Sequence, residues 1–160
     1  MCLDRGVNLF ITSLGDPKLV VDDIHNNGGK VFTGVIYLKH ARKAEDCGVD
    51  GLIAIGAGAG GHGGRISTMV LVPYLCGKVS LPIIAAGGFC DGRGLAAALV
   101  LGADGISMGT RLMLTQECEM HEKAKELSLK ATAEDTICSE KIDGLPGRWL
   151  KNPAAIKMAE

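Results

Sequence analysis

The sequence contains no C-x-x-C pair, no cluster of lysine and arginine, and no apolar run of membrane-spanning length. Each gap excludes something. Without paired cysteine spacing, the six cysteines (2, 47, 76, 90, 118 and 138) suit reduced cytosolic thiols better than a disulfide framework or a zinc site. No metal centre is expected. A formal net charge of −1 without a basic patch argues against nucleic-acid binding. No stretch is long and apolar enough to span a bilayer, so no membrane partner is expected. Met1-Cys2-Leu3-Asp4-Arg5 leads into a short apolar run, unlike a secretory signal, and the expected location is cytoplasmic.

What is present is glycine, 23 residues of it in 160, without a collagen-like period. Hydrophobic content of 47% and charged content of 22% fit one soluble globular domain over residues 1–160 with a real core. Residues 56–64 read Gly-Ala-Gly-Ala-Gly-Gly-His-Gly-Gly, directly after the apolar run Leu52-Ile53-Ala54-Ile55. Glycine permits positive φ and close backbone approach at an entropic cost. A chain that accepts this cost repeatedly, and leaves one titratable ring in the middle, is building a site. Two more glycine turns follow later apolar runs, Ala86-Gly87-Gly88 and Met108-Gly109-Thr110.

Short apolar runs alternate with amphipathic stretches. Strands are expected at Val7 to Ile11, Val31 to Ile36, Leu52 to Ile55, Pro82 to Ala86 and Gly105 to Met108. Helices are expected at Pro17 to Asn27 with Asp16 as N-cap, Leu38 to Cys47, Ser67 to Lys78 with Pro73 as its weak point, Asp91 to about Leu101, and Glu117 to Lys130. The tail from Gly144 to Glu160, with Pro146 and Pro153, shows little periodicity and is expected to be mostly irregular. About five βα units imply a parallel sheet with right-handed crossovers. Rhythm alone leaves open whether the sheet is doubly wound or part of a (β/α)8 barrel.

Glycine N–H groups beside a helix N-terminus present positive potential to an anion. Gly87-Gly88, just before the helix opened by Gly92-Arg93, suits phosphate. A plain turn would account for that pair alone; Gly109-Thr110, one βα unit later, favours the phosphate reading. His62 has no apolar sequence neighbours to pack with, so an accessible imidazole near a cofactor is expected to move a proton or to hydrogen-bond a developing anion. His25, His40 and His121 read as solvated helix residues, with His121 paired to Glu117 on one helix surface. Arg93 and Arg111 are candidate phosphate partners, but more often such residues are surface charges.

Taken together, Leu81-Pro82-Ile83-Ile84-Ala85-Ala86-Gly87-Gly88-Phe89, Asp91-Gly92-Arg93-Gly94, Leu101-Gly102-Ala103-Asp104-Gly105 and Met108-Gly109-Thr110-Arg111 closely resemble the nitronate monooxygenase family, formerly 2-nitropropane dioxygenase. Ala59-Gly60-Gly61-His62-Gly63-Gly64 matches that family's histidine motif, and the resemblance runs from about Val7 to Asn152. It implies strands four to eight of an FMN-dependent TIM barrel. Gly87, Gly88, Met108, Gly109 and Thr110 would hold FMN by its phosphate, Ala86 would belong to the same cofactor-binding set, Gly60 and Gly61 would pass close to the flavin, and His62 would be catalytic. The implied reaction oxidises an alkyl nitronate or nitroalkane with O2 to a carbonyl compound and nitrite.

Two positions depart from the family pattern: Gly58 stands where many members carry glutamate, and Gly34 where some carry a basic residue. The resemblance also implies that the first three barrel strands are missing, so a fragment is expected. Five strands leave two unpaired edges, which leaves a homo-oligomer open as a way of pairing them. Enoyl-acyl-carrier-protein reductase II and a related NADH:quinone reductase share the Ala-Gly-Gly-His and Ala-Ala-Gly-Gly patterns and stand as the alternative. A non-catalytic phosphate- or flavin-binding remnant is the third reading. Inosine monophosphate dehydrogenase has a similar Gly-Gly and Met-Gly pair but would demand a nucleophilic cysteine in the loop after the central strand, which here carries His62 and no cysteine.

Overall fold

A computed structural model describes residues 2–160. After a short 3-10 turn at Leu3–Arg5, the chain runs β1 (Leu9–Thr12), α1 (Lys18–Asn26), β2 (Lys30–Val35), α2 (Leu38–Asp46), β3 (Gly51–Ile55), β4 (Gly61–His62), α3 (Thr68–Cys76), β5 (Ile83–Ala86), α4 (Gly92–Val100) and β6 (Gly105–Ser107). It continues through α5 (Thr110–Met113), α6 (Glu122–Lys130), β7 (Thr136–Ser139), β8 (Gly147–Leu150) and α7 (Pro153–Ala159). Five strands form a parallel sheet in the order β1-β2-β3-β5-β6. That order follows the chain with no reversal. A doubly wound sheet has a switch point where strand order turns back, so the sheet is an arc of a TIM barrel.

The core lies between the sheet and its helices. Val31, Val35, Leu52, Ala54, Ile83 and Ala85 meet Val21, Ile24, Ala41, Ala44, Leu71, Val72, Leu75 and Ala98, all buried. In β2 the burial alternates residue by residue, so one face packs on helices and the other lines the concave side of the arc. β3 is buried along its first four residues, as expected of a central parallel strand. Alanine at helix positions facing the sheet lets α2 and α4 approach closely.

The five expected strands and their crossover helices are present, with ends shifted by one or two residues. α1 begins at Lys18 rather than Pro17, and Asp16 still accepts its first N–H, from Lys18 at 3.1 Å. α3 runs through Pro73; full burial of Leu71, Val72 and Leu75 outweighs the lost backbone bond. The last expected helix, Glu117 to Lys130, is corrected. It starts at Glu122, and His121 is its N-cap, its Nδ1 accepting the Lys123 N–H at 3.2 Å. Glu117 lies outside it, so the two do not share a helix face. The tail is also corrected: β7, β8 and α7 are regular. β7 and β8 form an antiparallel hairpin to which β4 adds a third strand. α7 is capped by Asn152, whose Oδ1 accepts the Ala155 N–H at 2.9 Å, with Pro153 in the first turn.

A candidate flavin and histidine site

Strands β3, β5 and β6 are neighbours and parallel, so their exits open at one end of the sheet. The loop after β3 is pressed against the turn after β5. Gly56 N–H donates to the Ala86 carbonyl at 3.0 Å. A Cβ at Gly87 would stand 2.6 Å from the Ala59 nitrogen, and one at Gly58 would stand 3.2 Å from the Gly87 carbonyl carbon. A side chain at Gly58 would press on the Gly87 turn. The tip of the same loop reaches the third exit: a Cβ at Gly60 would lie 3.5 Å from Thr110 Oγ1. The three glycine loops therefore converge.

Their backbone is arranged as a cradle. Gly87 and Gly88 have φ of +106° and +87°, a region that side chains rarely adopt. Thr68 Oγ1 donates to the Gly87 carbonyl at 2.9 Å. In a trans peptide the carbonyl and the next N–H point opposite ways, so this bond turns the Gly88 N–H outward. Beyond their chain neighbours, no described atom lies within 4 Å of where a Cβ would sit on Gly88 or Gly109. Among the described residues, the N–H groups of Gly88 and Gly109 have no protein acceptor. Gly88, Gly109, Gly60 and Thr110 are exposed; Met108 is half-buried and Ala86 is buried at the end of β5. A phosphate fits such a cradle: open space, bare donors and the start of a helix.

His62 is held differently from a loop-tip residue. It lies in β4, paired across to Gly147 of β8. Gly63 N–H donates to the Pro146 carbonyl at 3.1 Å, continuing the link. The imidazole Nε2 is 2.7 Å from Asp143 Oδ2, and the ring meets Trp149 edge-on at 5.6 Å and 89°. Gly147 makes room for this, since a Cβ there would fall 2.8 Å from Trp149 Cζ2. Arg148 ties the hairpin to the loop, donating from Nε to the Ala57 carbonyl at 3.1 Å and from Nη1 to Thr136 Oγ1 at 2.8 Å. A cavity of about 630 Å³ opens between the loop and the hairpin, lined by Gly61 and Gly63 but not by His62.

Sequence alone assigns no site role to Thr68, Asp143, Arg148 or Trp149. Thr68 reads there only as a helix-start residue; the other three come from the tail. Arg93 is a surface charge: its guanidinium binds its own neighbour Asp91 at 2.7 and 3.0 Å and is 93% exposed. The Arg93 side chain, and after it the Gly94 and Arg93 N–H groups, hold the Asp91 carboxyl below its ordinary range, with Arg111 adding to the pull. His25 is also not simply solvated, since Nε2 lies 2.8 Å from Asp50 Oδ2 at the far end of the sheet. Among the described residues no three His, Cys, Asp or Glu side chains gather as a metal site, and no helix is long and apolar enough to cross a membrane.

The family profile described as nitronate monooxygenase matches residues 1–160. The chain belongs to the nitronate monooxygenase family. It is 47% identical over 150 residues to the Rhodococcus jostii "(3aS,4S,5R,7aS)-5-hydroxy-7a-methyl-1-oxo-octahydro-1H-indene-4-carboxyl-CoA dehydrogenase", covering 94% of this chain and 42% of that protein. Among solved structures it resembles FabK from Thermotoga maritima, with a TM-score of 0.91 and 39% identity, over 98% of this chain and 50% of that one. It also resembles nitroalkane oxidase from Streptomyces ansochromogenes, with a TM-score of 0.90 and 28% identity, over 98% and 49%. The chain thus spans about half the length of the relatives it matches. Membership in this family makes it kin to oxidoreductases.

Proposed function

We propose that this chain is the phosphate-holding and histidine-bearing part of an FMN-dependent oxidoreductase of the nitronate monooxygenase type. The observation that carries the reading is the convergence of the three glycine loops, with Ala59 against Gly87 and Gly60 beside Thr110, and with His62 fixed in the strand that follows. Gly87 and Gly88, with Met108, Gly109 and Thr110, would hold the phosphate, Gly88 and Gly109 giving it bare N–H groups. Ala86, Gly60 and Gly61 would pass close to the ring. Bound FMN would supply the redox chemistry. His62 would orient an anionic nitronate through its ring, or take the α-proton of a neutral nitroalkane.

A second reading has its own support. The 47%-identical relative is named as a CoA-ester dehydrogenase, which favours a thioester substrate on the same cradle. Nitronate-dependent oxygen consumption, measured beside NAD(P)H oxidation with quinone or an enoyl thioester, separates the two.

The role of His62 is tested by His62→Asn. Turnover should fall ~10²- to 10⁴-fold, the usual worth of a positioned acid or base. FMN retention, followed by flavin fluorescence, should stay within about twofold, because the donors of the cradle are main-chain groups. Equal loss of both would make His62 structural. A colourless chain that takes up no FMN would overturn the flavin reading altogether.

A further inference from the structure

The His62 ring has one nitrogen committed and one available. Nε2 is 2.7 Å from Asp143 Oδ2. Nδ1 has no protein partner among the described residues. The carboxylate is itself held, since its Oδ1 accepts the Leu145 N–H at 3.2 Å within the turn that joins β7 to β8. The ring also makes a perpendicular edge contact with Trp149. Two arginines near β4 are engaged elsewhere: Arg148 on Ala57 and Thr136, and Arg65 on Glu140.

A carboxylate can only accept a hydrogen bond. The proton between the two groups therefore sits on Nε2, and a neutral His62 carries its lone pair on Nδ1. We propose that Asp143 is a positioning residue for His62: it fixes the Nε2–H tautomer and the ring orientation, and so assigns Nδ1 as the atom that receives a substrate proton or faces the substrate. In the proton-transfer case, the substrate C–H bond breaks, its electron pair stays on the substrate as the nitronate, and the proton moves to Nδ1. The positive charge then formed on the ring is shared with Asp143 through Nε2–H. This proposal rests on the reading of His62 as the substrate-facing group, although the tautomer itself does not.

The test uses the full chain labelled with ¹⁵N, reading ring-nitrogen shifts and long-range couplings, with His62 assigned by its loss in His62→Asn. In the native chain, neutral His62 should appear as the single Nε2–H tautomer. Asp143→Asn keeps an oxygen for the Leu145 N–H and turns its amide NH2 toward the imidazole. That arrangement needs a bare Nε2, so the proton should move to Nδ1. The same exchange should lower kcat by ~10²- to 10⁴-fold, as the wrong tautomer does in a carboxylate-oriented histidine, with KM little changed. Asp143→Glu should recover part of kcat, and FMN affinity and the circular dichroism spectrum should match the native chain in all variants. A native His62 protonated on Nδ1, or a tautomer unmoved by Asp143→Asn, overturns the proposal. If the native chain turns over neither nitronate nor thioester, the functional reading fails while the tautomer measurement still decides the role of Asp143.

Discussion

Gly87 illustrates how one residue can fix a loop. Its φ of +106° alone disfavours a side chain, and its Cα faces the Ala59 backbone so closely that a methyl would collide. Glycine there lets the loop after β3 lie against the turn after β5. At the opposite end of the sheet, Asp50 plays a different part. Its carboxylate accepts from Lys30 Nζ, the Val31 N–H and His25 Nε2, each at 2.8 Å. Partial burial pushes the carboxyl up, but those hydrogen bonds outweigh it and hold the group at about 2, against an ordinary 3.8. A carboxyl with a lowered pKa in the fold stabilises the fold wherever it would be ionised when unfolded. The contribution is complete above about pH 4 and is lost as pH falls toward 2. Asp50→Asn should therefore cost ~2 kcal/mol at neutral pH, with the difference from the native chain closing between pH 4 and pH 2. Urea unfolding across that range checks it; a constant difference would contradict the assignment.

At the scale of elements, the hairpin β7–β8 and helix α7 shape the site from outside the barrel arc. β8 is half-buried along all four residues and β7 along three of four, so neither shows the alternation that marks a strand in sequence. They become strands because β4 and each other supply the ladder. α7, by contrast, does announce itself: Asn152 followed by Pro153 is a start signal in the sequence, and Asn152 Oδ1 takes the Ala155 N–H. Asn152→Ala should cost about 0.5–2 kcal/mol of stability in denaturant titration and loosen the packing of α7 on β7. The glycine loops were legible because a turn with positive φ needs glycine locally, whatever the rest of the chain does. Helix α6 was placed too early because Glu117, Glu119 and Met120 are good helix formers, whereas the actual start is set by the cap at His121.

At the scale of the molecule, the five-stranded arc has two strands with a single neighbour each, β1 beside β2 and β6 beside β5. β1 also shows apolar side chains to solvent, Leu9 at 55% and Ile11 at 68%. An edge of that kind pairs readily with another strand. Self-association of the chain should rise with concentration in sedimentation velocity, and Ile11→Lys should shift the distribution toward monomer; a chain monomeric at all concentrations would refute this. What the sequence determined on its own were properties set within a few residues: the βα rhythm, the glycine turns at three strand exits, and His62 as the one titratable group among them. Only the tertiary structure decided that the strand order runs without reversal, that the three exits touch, and that Asp143, 81 positions away, holds His62. The reason is physical. A turn or a helix cap is a local bargain between a side chain and its own backbone, while a pairing across the fold leaves no trace in either segment until packing brings the two together.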